Sequence, residues 1–236
     1  MPQSKLGLKE AAEYLDLSVK DLQFLVEKGK VPHEMERNKF VFRKGVLRDW
    51  ANQFLFSDTT NLSGKKHHGS FKLWSKANLI EKKLGDWLLN ESMEPFLPAR
   101  TKPSVLRELV NVAAKTGMLS DPTKLLGLLR NREELGPTGL KNGIAIPHPR
   151  IHTPDLCYES FMVIAKVPGG IPFGSLDGEN SDLFFMPCAQ TEEDHIFMLG
   201  RLTSMIKKTD LCQSLRDAKD AEEMISYFQA CEEKLI

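Results

Sequence analysis

Residues 130–150 have the sequence RNREELGPTGLKNGIAIPHPR, and this segment decides how the rest of the chain is interpreted. Its middle holds three glycines and a proline, which permit an unusual backbone path with exposed N–H groups. The apolar run Ile144-Ala145-Ile146 then predicts a short strand. This strand delivers His148 at its C-terminal end, where the prolines on both sides restrict the backbone.

A histidine beside a glycine-rich loop and arginines suits one chemistry well, the acceptance of a phosphoryl group. Neutral imidazole is a competent nucleophile near neutral pH, because its reference pKa is about 6.5. The transferring group needs positive charge on its oxygens, which arginine and backbone N–H groups supply. The pattern alone leaves open a second interpretation, in which His148 is a structural or solvated histidine.

Helices and strands alternate on both sides of this segment. Apolar runs of strand length occur at 94–99, 143–147, 159–167 and 182–188. Helical periodicity and capping residues predict helices at 102–115, 121–130, 192–207, 210–218 and 220–233. This order predicts an α/β fold with helices on both faces of a sheet.

A second histidine, His195, follows the acidic run Glu192-Glu193-Asp194. Acidic residues suit the first turn of a helix, because they face the positive end of its dipole. His195 is therefore expected near the end of the 182–188 strand. From the residues alone, a structural role and a site role are equally open.

The long motif at 130–150 resembles the active-site signature of the EIIA domains of the phosphoenolpyruvate-dependent phosphotransferase system, in the fructose, mannitol and nitrogen-regulatory branch. The resemblance extends over residues 82–236. It includes three further motifs: Leu84-Gly85-Asp86-Trp87-Leu88-Leu89, Gly170-Ile171-Pro172-Phe173 with Asp177-Gly178, and Glu193-Asp194-His195 with Leu199-x-Arg201-Leu202. One departure is Lys141, which adds a positive charge where the family usually has glycine.

The resemblance implies a role for each of three residues. His148 corresponds to the phosphorylated histidine, Arg132 to the active-site arginine and His195 to the second active-site histidine. It also implies a mixed, largely five-stranded sheet sandwiched by helices. The implied donor is phospho-HPr or its nitrogen-branch paralogue, and the transfer runs from histidine to histidine through a phosphohistidine intermediate.

The first fifty residues predict two helices, a hairpin and a third helix that includes Leu47, Trp50 and Phe54. About three residues separate the first two helices, as a helix-turn-helix requires, and Ser18 is a natural N-cap for the second. Residues 6–55 resemble the excisionase/MerR-like winged helix-turn-helix family. The resemblance implies a small N-terminal domain with DNA contacts from Ser18, Lys20, Gln23, Arg37, Lys39 and Arg43.

The physical case for double-stranded DNA as a ligand has two sides. Lys20 and Gln23 are long enough to reach base edges, whereas Asp21 would face the phosphates. Small helix-turn-helix units also dock proteins, so a protein partner stays open. With one basic residue in the second helix, we expect weak, salt-sensitive binding that a dimer would strengthen; the oligomeric state is open.

These observations divide the chain into residues 1–56 (helix-turn-helix), 57–81 (a polar, Gly/Ser-bearing linker) and 82–236 (EIIA-like), with a helix expected at 72–83. Residues 1–80 hold 14 Lys+Arg and 9 Asp+Glu, which gives a formal net charge of +5. Residues 81–236 hold 18 Lys+Arg and 23 Asp+Glu, which gives −5. This asymmetry is a weak indication that the front end meets a polyanion.

Several classes of protein are disfavoured by the composition. No apolar run is long enough to span a membrane or to act as a signal peptide, so we expect a cytoplasmic protein without membrane contact. The four cysteines show no C-x-x-C spacing, and we expect Cys188 and Cys212 in the core. His67-His68 is expected to be a solvated pair, and no metal or cofactor is predicted.

Two functions fit these expectations. In the first, the protein is a regulator whose phosphorylation at His148 changes the DNA or protein contacts of its front end. In the second, it is a transport EIIA that passes the phosphoryl group to a separate EIIB during sugar uptake. The chain shows no EIIB-type cysteine motif and no membrane EIIC segment, which favours the regulator. A third interpretation, a body that no longer reacts, is disfavoured because Arg132, His148 and His195 are all present.

Overall fold

The computed structural model describes residues 5–15, 18–37, 39–47, 50, 82–150, 153, 155–175 and 177–235. The chain divides into two compact units, residues 1–79 and residues 80–236. The predicted linker, residues 57–81, lies outside the described residues. Of the helix expected at 72–83, only Lys82 and Lys83 are described, and they are not helical. Phe54, His67, His68 and His152 also lie outside them.

The first unit has the order strand, helix, helix, hairpin. Its elements are β1 (Lys5–Gly7), α1 (Leu8–Tyr14), α2 (Val19–Glu27), β2 (Glu34–Glu36) and β3 (Lys39–Arg43), followed by helical residues 44–47. The three strands form an antiparallel sheet in the order β1-β3-β2. The helices and the hairpin were predicted, whereas the short strand β1 was not.

Local capping explains where α2 begins and ends. Ser18 Oγ accepts a hydrogen bond from the backbone N–H of Asp21 at 3.1 Å, as an N-cap does. Gly29 follows the helix with φ +64°, which glycine adopts at little cost. A small apolar core lies behind the helix and includes Leu22, Val26 and Phe42.

The second unit alternates helices and strands. Its elements are β4 (Met93–Glu94), α3 (Lys102–Lys115), α4 (Pro122–Glu134), β5 (Ile144–Ala145), β6 (Phe161–Ile171), β7 (Ser181–Cys188), α5 (Glu192–Lys208), α6 (Leu211–Asp217) and α7 (Ala221–Glu233). No helix in the described part of the chain is long and apolar enough to cross a membrane.

The sheet of the second unit is mixed and has the order β4-β6-β7-β5. β6 and β7 are antiparallel, whereas β4 runs parallel to β6 and β5 parallel to β7. Among the described residues of the second unit, this sheet thus has four strands, not the five that the resemblance implied. An isolated bridge between Gly139 and Ala145 extends the β5 edge.

Helices cover both faces of this sheet. Alternate residues of β6, such as Phe161 and Val163, join a core cluster with Leu109 and Leu129 of α3 and α4. Residues that point to the other face, such as Ile164, are also fully buried. Burial on both faces is typical of an α/β sandwich, as predicted.

Two predicted boundaries in this unit are wrong. Of the strand expected at 94–99, only Glu94 belongs to the ladder, as the second residue of β4. Leu97 adds one backbone hydrogen bond to the carbonyl of Lys166 at 2.7 Å, but Pro95 and Pro98 have no N–H with which to extend the ladder. The helix expected to end near Arg130 continues to Glu134, where Gly136 and Pro137 stop it. Arg132 therefore lies on a helix instead of a loop.

Candidate active site

His148 lies three residues beyond β5, and its side chain is almost fully enclosed. Its Nδ1 is 2.7 Å from the carbonyl oxygen of Ile146. A carbonyl oxygen only accepts hydrogen bonds, so this contact requires the hydrogen of the neutral imidazole to be on Nδ1. The lone pair of the neutral ring is then on Nε2.

His195 lies against His148, although the two are far apart in sequence. The ring centroids are 5.6 Å apart and the ring planes are tilted by 47°. His195 belongs to the first turn of α5, which begins just after β7. Because β5 and β7 are parallel neighbours, the residues that follow them meet at one edge of the sheet.

Arg132 occupies the last turn of α4, and its Nη1 donates to the carbonyl oxygen of Gly136 at 2.8 Å. Arg132, His148 and His195 are 6%, 4% and 5% exposed, so all three are buried polar side chains. Arg132 thus stands at the start of the loop whose far end carries His148. A contact between its guanidinium and a phosphoryl group on His148 stays a prediction.

The loop between Arg132 and His148 folds back on itself as a hairpin. The N–H of Leu140 donates to the carbonyl of Ile144 at 2.7 Å, and that of Ile146 to the carbonyl of Thr138 at 3.1 Å. Gly139 allows the segment after Phe173 to approach, because a Cβ there would lie 2.9 Å from the backbone nitrogen of Ser175. The Gly-Ile-Pro-Phe motif is thereby packed against the loop.

Asp194, the neighbour of His195, makes contacts that the sequence did not predict. Its carboxylate accepts hydrogen bonds from Ser160 Oγ at 2.7 Å and from Lys82 Nζ at 3.1 Å. Burial raises the pKa of Asp194, but the hydrogen bonds from Ser160, Lys82 and Thr191 outweigh burial and hold the pKa below 3.8. Asp194 is thus an anion at neutral pH. The acidic run at 192–194 was the only signal in the sequence.

The cysteines near this edge are inert thiols. Burial, and next the charge of Asp194, raises the pKa of Cys157 to about 11, so the nucleophilic thiolate is absent at neutral pH. Cys188 is buried as predicted and lines the same cleft as His195. Cys212 is only partly buried, so its predicted place in the core is wrong. The described residues contain no group of three or more His, Cys, Asp or Glu that would hold a metal ion.

The six candidate DNA-contacting residues of the first unit fall into two groups. Three have partners within the unit: Ser18 caps α2, Gln23 donates to Glu27 at 3.0 Å, and Arg43 pairs with Glu34 at 2.7 Å. The second group is Lys20, Arg37 and Lys39, and all six residues are exposed. Arg37 has φ +48°, in the turn of the hairpin.

Comparison with known proteins identifies the family to which the chain belongs. Residues 90–231 match the family model described as "Phosphoenolpyruvate-dependent sugar phosphotransferase system, EIIA 2". The chain therefore belongs to this family, whose members are components of that phosphotransferase system. It is 34% identical over 129 residues to the nitrogen regulatory protein of Pseudomonas aeruginosa, a match that covers 53% of this chain and 81% of the relative.

Solved structures support the fold. The nitrogen regulatory protein IIA-Ntr of Neisseria meningitidis superposes with a TM-score of 0.54 at 22% identity, over 61% of this chain and 98% of that one. The mannitol enzyme IIA of Escherichia coli, solved in complex with phosphorylated enzyme IIB, gives a TM-score of 0.52 at 23% identity, over 59% of this chain and 95% of that one. The α/β fold with a mixed sheet is thus that of EIIA proteins of this type.

Proposed function

We propose that the protein is a regulatory phosphocarrier of the phosphotransferase system. Nε2 of His148 takes a phosphoryl group from the phosphohistidine of HPr or of its nitrogen-branch paralogue. The observation that carries this proposal is the buried pair of rings, with His148 Nδ1 held by a carbonyl and His195 only 5.6 Å away.

The transfer balances without any further reactant. The P–N bond of the donor breaks as a P–N bond to His148 Nε2 forms, and the donor nitrogen leaves with the electron pair of the broken bond. His148 keeps its Nδ1 hydrogen and becomes a phosphorylated imidazolium. The carbonyl of Ile146, which already accepts from Nδ1, stabilises the positive charge that develops on the ring.

Arg132 and His195 are proposed to bind the oxygens of the transferring group. Both are buried, so their interaction with the developing charge is less screened than it would be in water. Their hydrogen-bonding groups lie on two helices whose ends are fixed by capping, which preorganises the site.

Phosphorylation is proposed to change the contacts of the first unit with DNA or with a regulated protein. Lys82, the first described residue after the linker, donates to Asp194 beside His195. A phosphoryl group carries about −1.5 to −2 charges at pH 7 and would compete for Lys82. Charges further apart than about 8 Å are largely screened in the cell, so regulation acts through such contacts and not through the long-range field.

A DNA-binding role of the first unit, as a winged helix-turn-helix, rests on the exposed Lys20, Arg37 and Lys39. The triple variant Lys20→Ala, Arg37→Ala, Lys39→Ala should lose binding to genomic fragments in an anisotropy assay. A matched variant, Lys9→Ala, Lys28→Ala, Lys30→Ala, removes the same charge from other exposed positions. It should bind the DNA fragments more tightly than the first triple variant. Each lost phosphate contact should reduce, by about 0.9, the magnitude of the slope of the logarithm of the binding constant against the logarithm of the salt concentration. Equal binding of both variants favours a protein partner.

A second function is transfer of the phosphoryl group to an EIIB during sugar uptake. It is favoured by the likeness in fold to the mannitol enzyme IIA, whose structure was solved with phosphorylated enzyme IIB. Incubation of the phosphorylated protein with EIIB proteins of the same cell separates the two functions. Rapid loss of phosphate to one EIIB supports transport.

The test of phosphoryl acceptance is intact-mass measurement after incubation with phosphoenolpyruvate, enzyme I and HPr. One phosphate should appear on the wild type and none on His148→Ala. A labelled His148→Ala protein would show that another residue is the acceptor.

A further inference from the structure

An ion pair with a buried carboxylate and a partly exposed lysine (29%) lies beside the loop that leads to His148. Glu133, the residue after Arg132, has a carboxylate only 6% exposed, and Lys102 Nζ lies 2.5 Å from it. Lys102 begins α3 and also donates to the carbonyl of Phe173 at 3.3 Å, with its Nζ 4.7 Å from the centre of that ring. The pair thus joins α3, α4 and the Gly-Ile-Pro-Phe segment.

The same carboxylate holds the loop through Thr138. The backbone N–H of Thr138 lies 3.3 Å from both oxygens of Glu133, and its hydroxyl also donates to Glu133. Thr138 is buried, so these donors have no water to replace the carboxylate. Glu133 therefore fixes the position of the Thr138 peptide.

From Thr138 a chain of hydrogen bonds continues to the nucleophile. The carbonyl of Thr138 accepts from the N–H of Ile146 at 3.1 Å, and the carbonyl of Ile146 is 2.7 Å from His148 Nδ1. Ile146 is thus held on both sides, at its N–H by the loop and at its carbonyl by His148. A shift of Thr138 would rotate the carbonyl that keeps the hydrogen of His148 on Nδ1.

We propose that Glu133, paired with Lys102, is a positioning residue that sets the ring orientation and tautomer of His148. The proposal rests on the proposed function, in which Nε2 of His148 must offer its lone pair. If the hydrogen moved to Nε2, that nitrogen would no longer be a nucleophile. Glu133 touches neither the donor nor the phosphoryl group; it acts through Thr138 and Ile146.

The experiment compares Glu133→Gln with Glu134→Gln, which changes the adjacent, exposed glutamate. The rate of phosphoryl transfer from phospho-HPr is measured by intact mass, and the tautomer of His148 by 15N NMR of the unphosphorylated protein. Glu133→Gln should lower the maximal rate about 10- to 100-fold with an unchanged KM for phospho-HPr, because small misplacements cost about that much. Its ring nitrogens should show a mixture of tautomers. Glu134→Gln should match the wild type in both.

Three further variants keep the test valid if Glu133→Gln unfolds. The double variant Lys102→Met, Glu133→Gln leaves no unpaired buried charge, and it should retain the tautomer mixture and the slow rate. Thr138→Ser keeps the hydroxyl and should react at nearly the wild-type rate. Thr138→Val loses the hydroxyl and should react more slowly than the wild type. A wild-type rate and a single Nδ1–H tautomer in the folded Glu133 variants would overturn the proposal. Failure of the proposed function looks different, since the wild type itself would then take no phosphate while the NMR comparison still decides the tautomer.

Discussion

Replacement of Arg132 gives the most direct test of whether its guanidinium stabilises the negative charge of a transferring phosphoryl group. The side chain is 6% exposed, and one of its N–H groups is used by the carbonyl of Gly136 at 2.8 Å, which leaves the rest of the fork for a ligand. In the proposed transfer, Arg132→Ala removes a donor to the transition state, and such a loss typically costs about 2.7–4 kcal/mol, or about 10²- to 10³-fold in rate. Arg132→Lys keeps the charge but loses the planar fork, so we expect an intermediate rate.

The loss of rate should far exceed the loss of stability. The structural contact of Arg132 is one hydrogen bond to a carbonyl, and a hydrogen bond from a charged group contributes about 1.5–3 kcal/mol. Removing the buried charge also relieves its desolvation, so the net change in the free energy of unfolding should be smaller than this. The protein should therefore remain folded at the assay temperature, as circular dichroism can verify.

The assay follows single-turnover phosphorylation by phospho-HPr with intact mass as the readout. Arg130→Ala is the matched control, because Arg130 lies in the same part of α4 and is exposed. The reasoning is refuted if Arg132→Ala reacts within about threefold of Arg130→Ala, since removal of an oxyanion contact costs at least about a hundredfold.

Three further predictions concern the framework of the second unit. Gly139→Ala should destabilise the protein by about 1–3 kcal/mol through overpacking, whereas Gly127→Ala, with open space around it on a helix, should raise Tm. Glu232→Gln breaks the buried pair with Arg201, which is 2.9 Å away and 21% exposed, so thermal melts should show a loss near the lower end of about 3–5 kcal/mol. The folded-state pKa of Asp194 is held below its ordinary value, so its stabilisation is present at neutral pH and is lost as the pH falls through that lowered pKa. Asp194→Asn should accordingly make stability less dependent on pH in acid, and an unchanged acid limb would contradict this.

The sequence predicted most helix boundaries of the second unit because the signals for them are local. Thr101 Oγ1 accepts from the N–H of Ser104 at 3.3 Å, and Asp121 Oδ1 from that of Lys124 at 2.8 Å, each within one turn. The sequence also holds a local signal against the strand predicted at 94–99, because the segment contains two prolines. The missing N–H groups of Pro95 and Pro98 limit the ladder more than the apolar character of the segment favours it.

The partners of the site could not be predicted in the same way. Glu133 meets Lys102, and Asp194 meets Ser160, across segments that only the tertiary fold brings together. Nothing in the residue types distinguishes Glu133 from its exposed neighbour Glu134. The periodicity of α4 does distinguish them, because Leu125, Leu129 and Arg132 form its buried face. Glu133 follows Leu129 by four residues and so lies on that face, whereas Glu134 does not.

One topological fact accounts for the meeting of the two histidines. β5 and β7 are parallel neighbours, so the chain leaves both at the same edge of the sheet. After β5 it runs directly into the proline-flanked His148, and after β7 it enters the capped first turn of α5 with His195. Each ring is buried within its own rigid surroundings before any donor arrives. In the proposed transfer from histidine to histidine, the free energy of donor binding is therefore not needed to organise the acceptor.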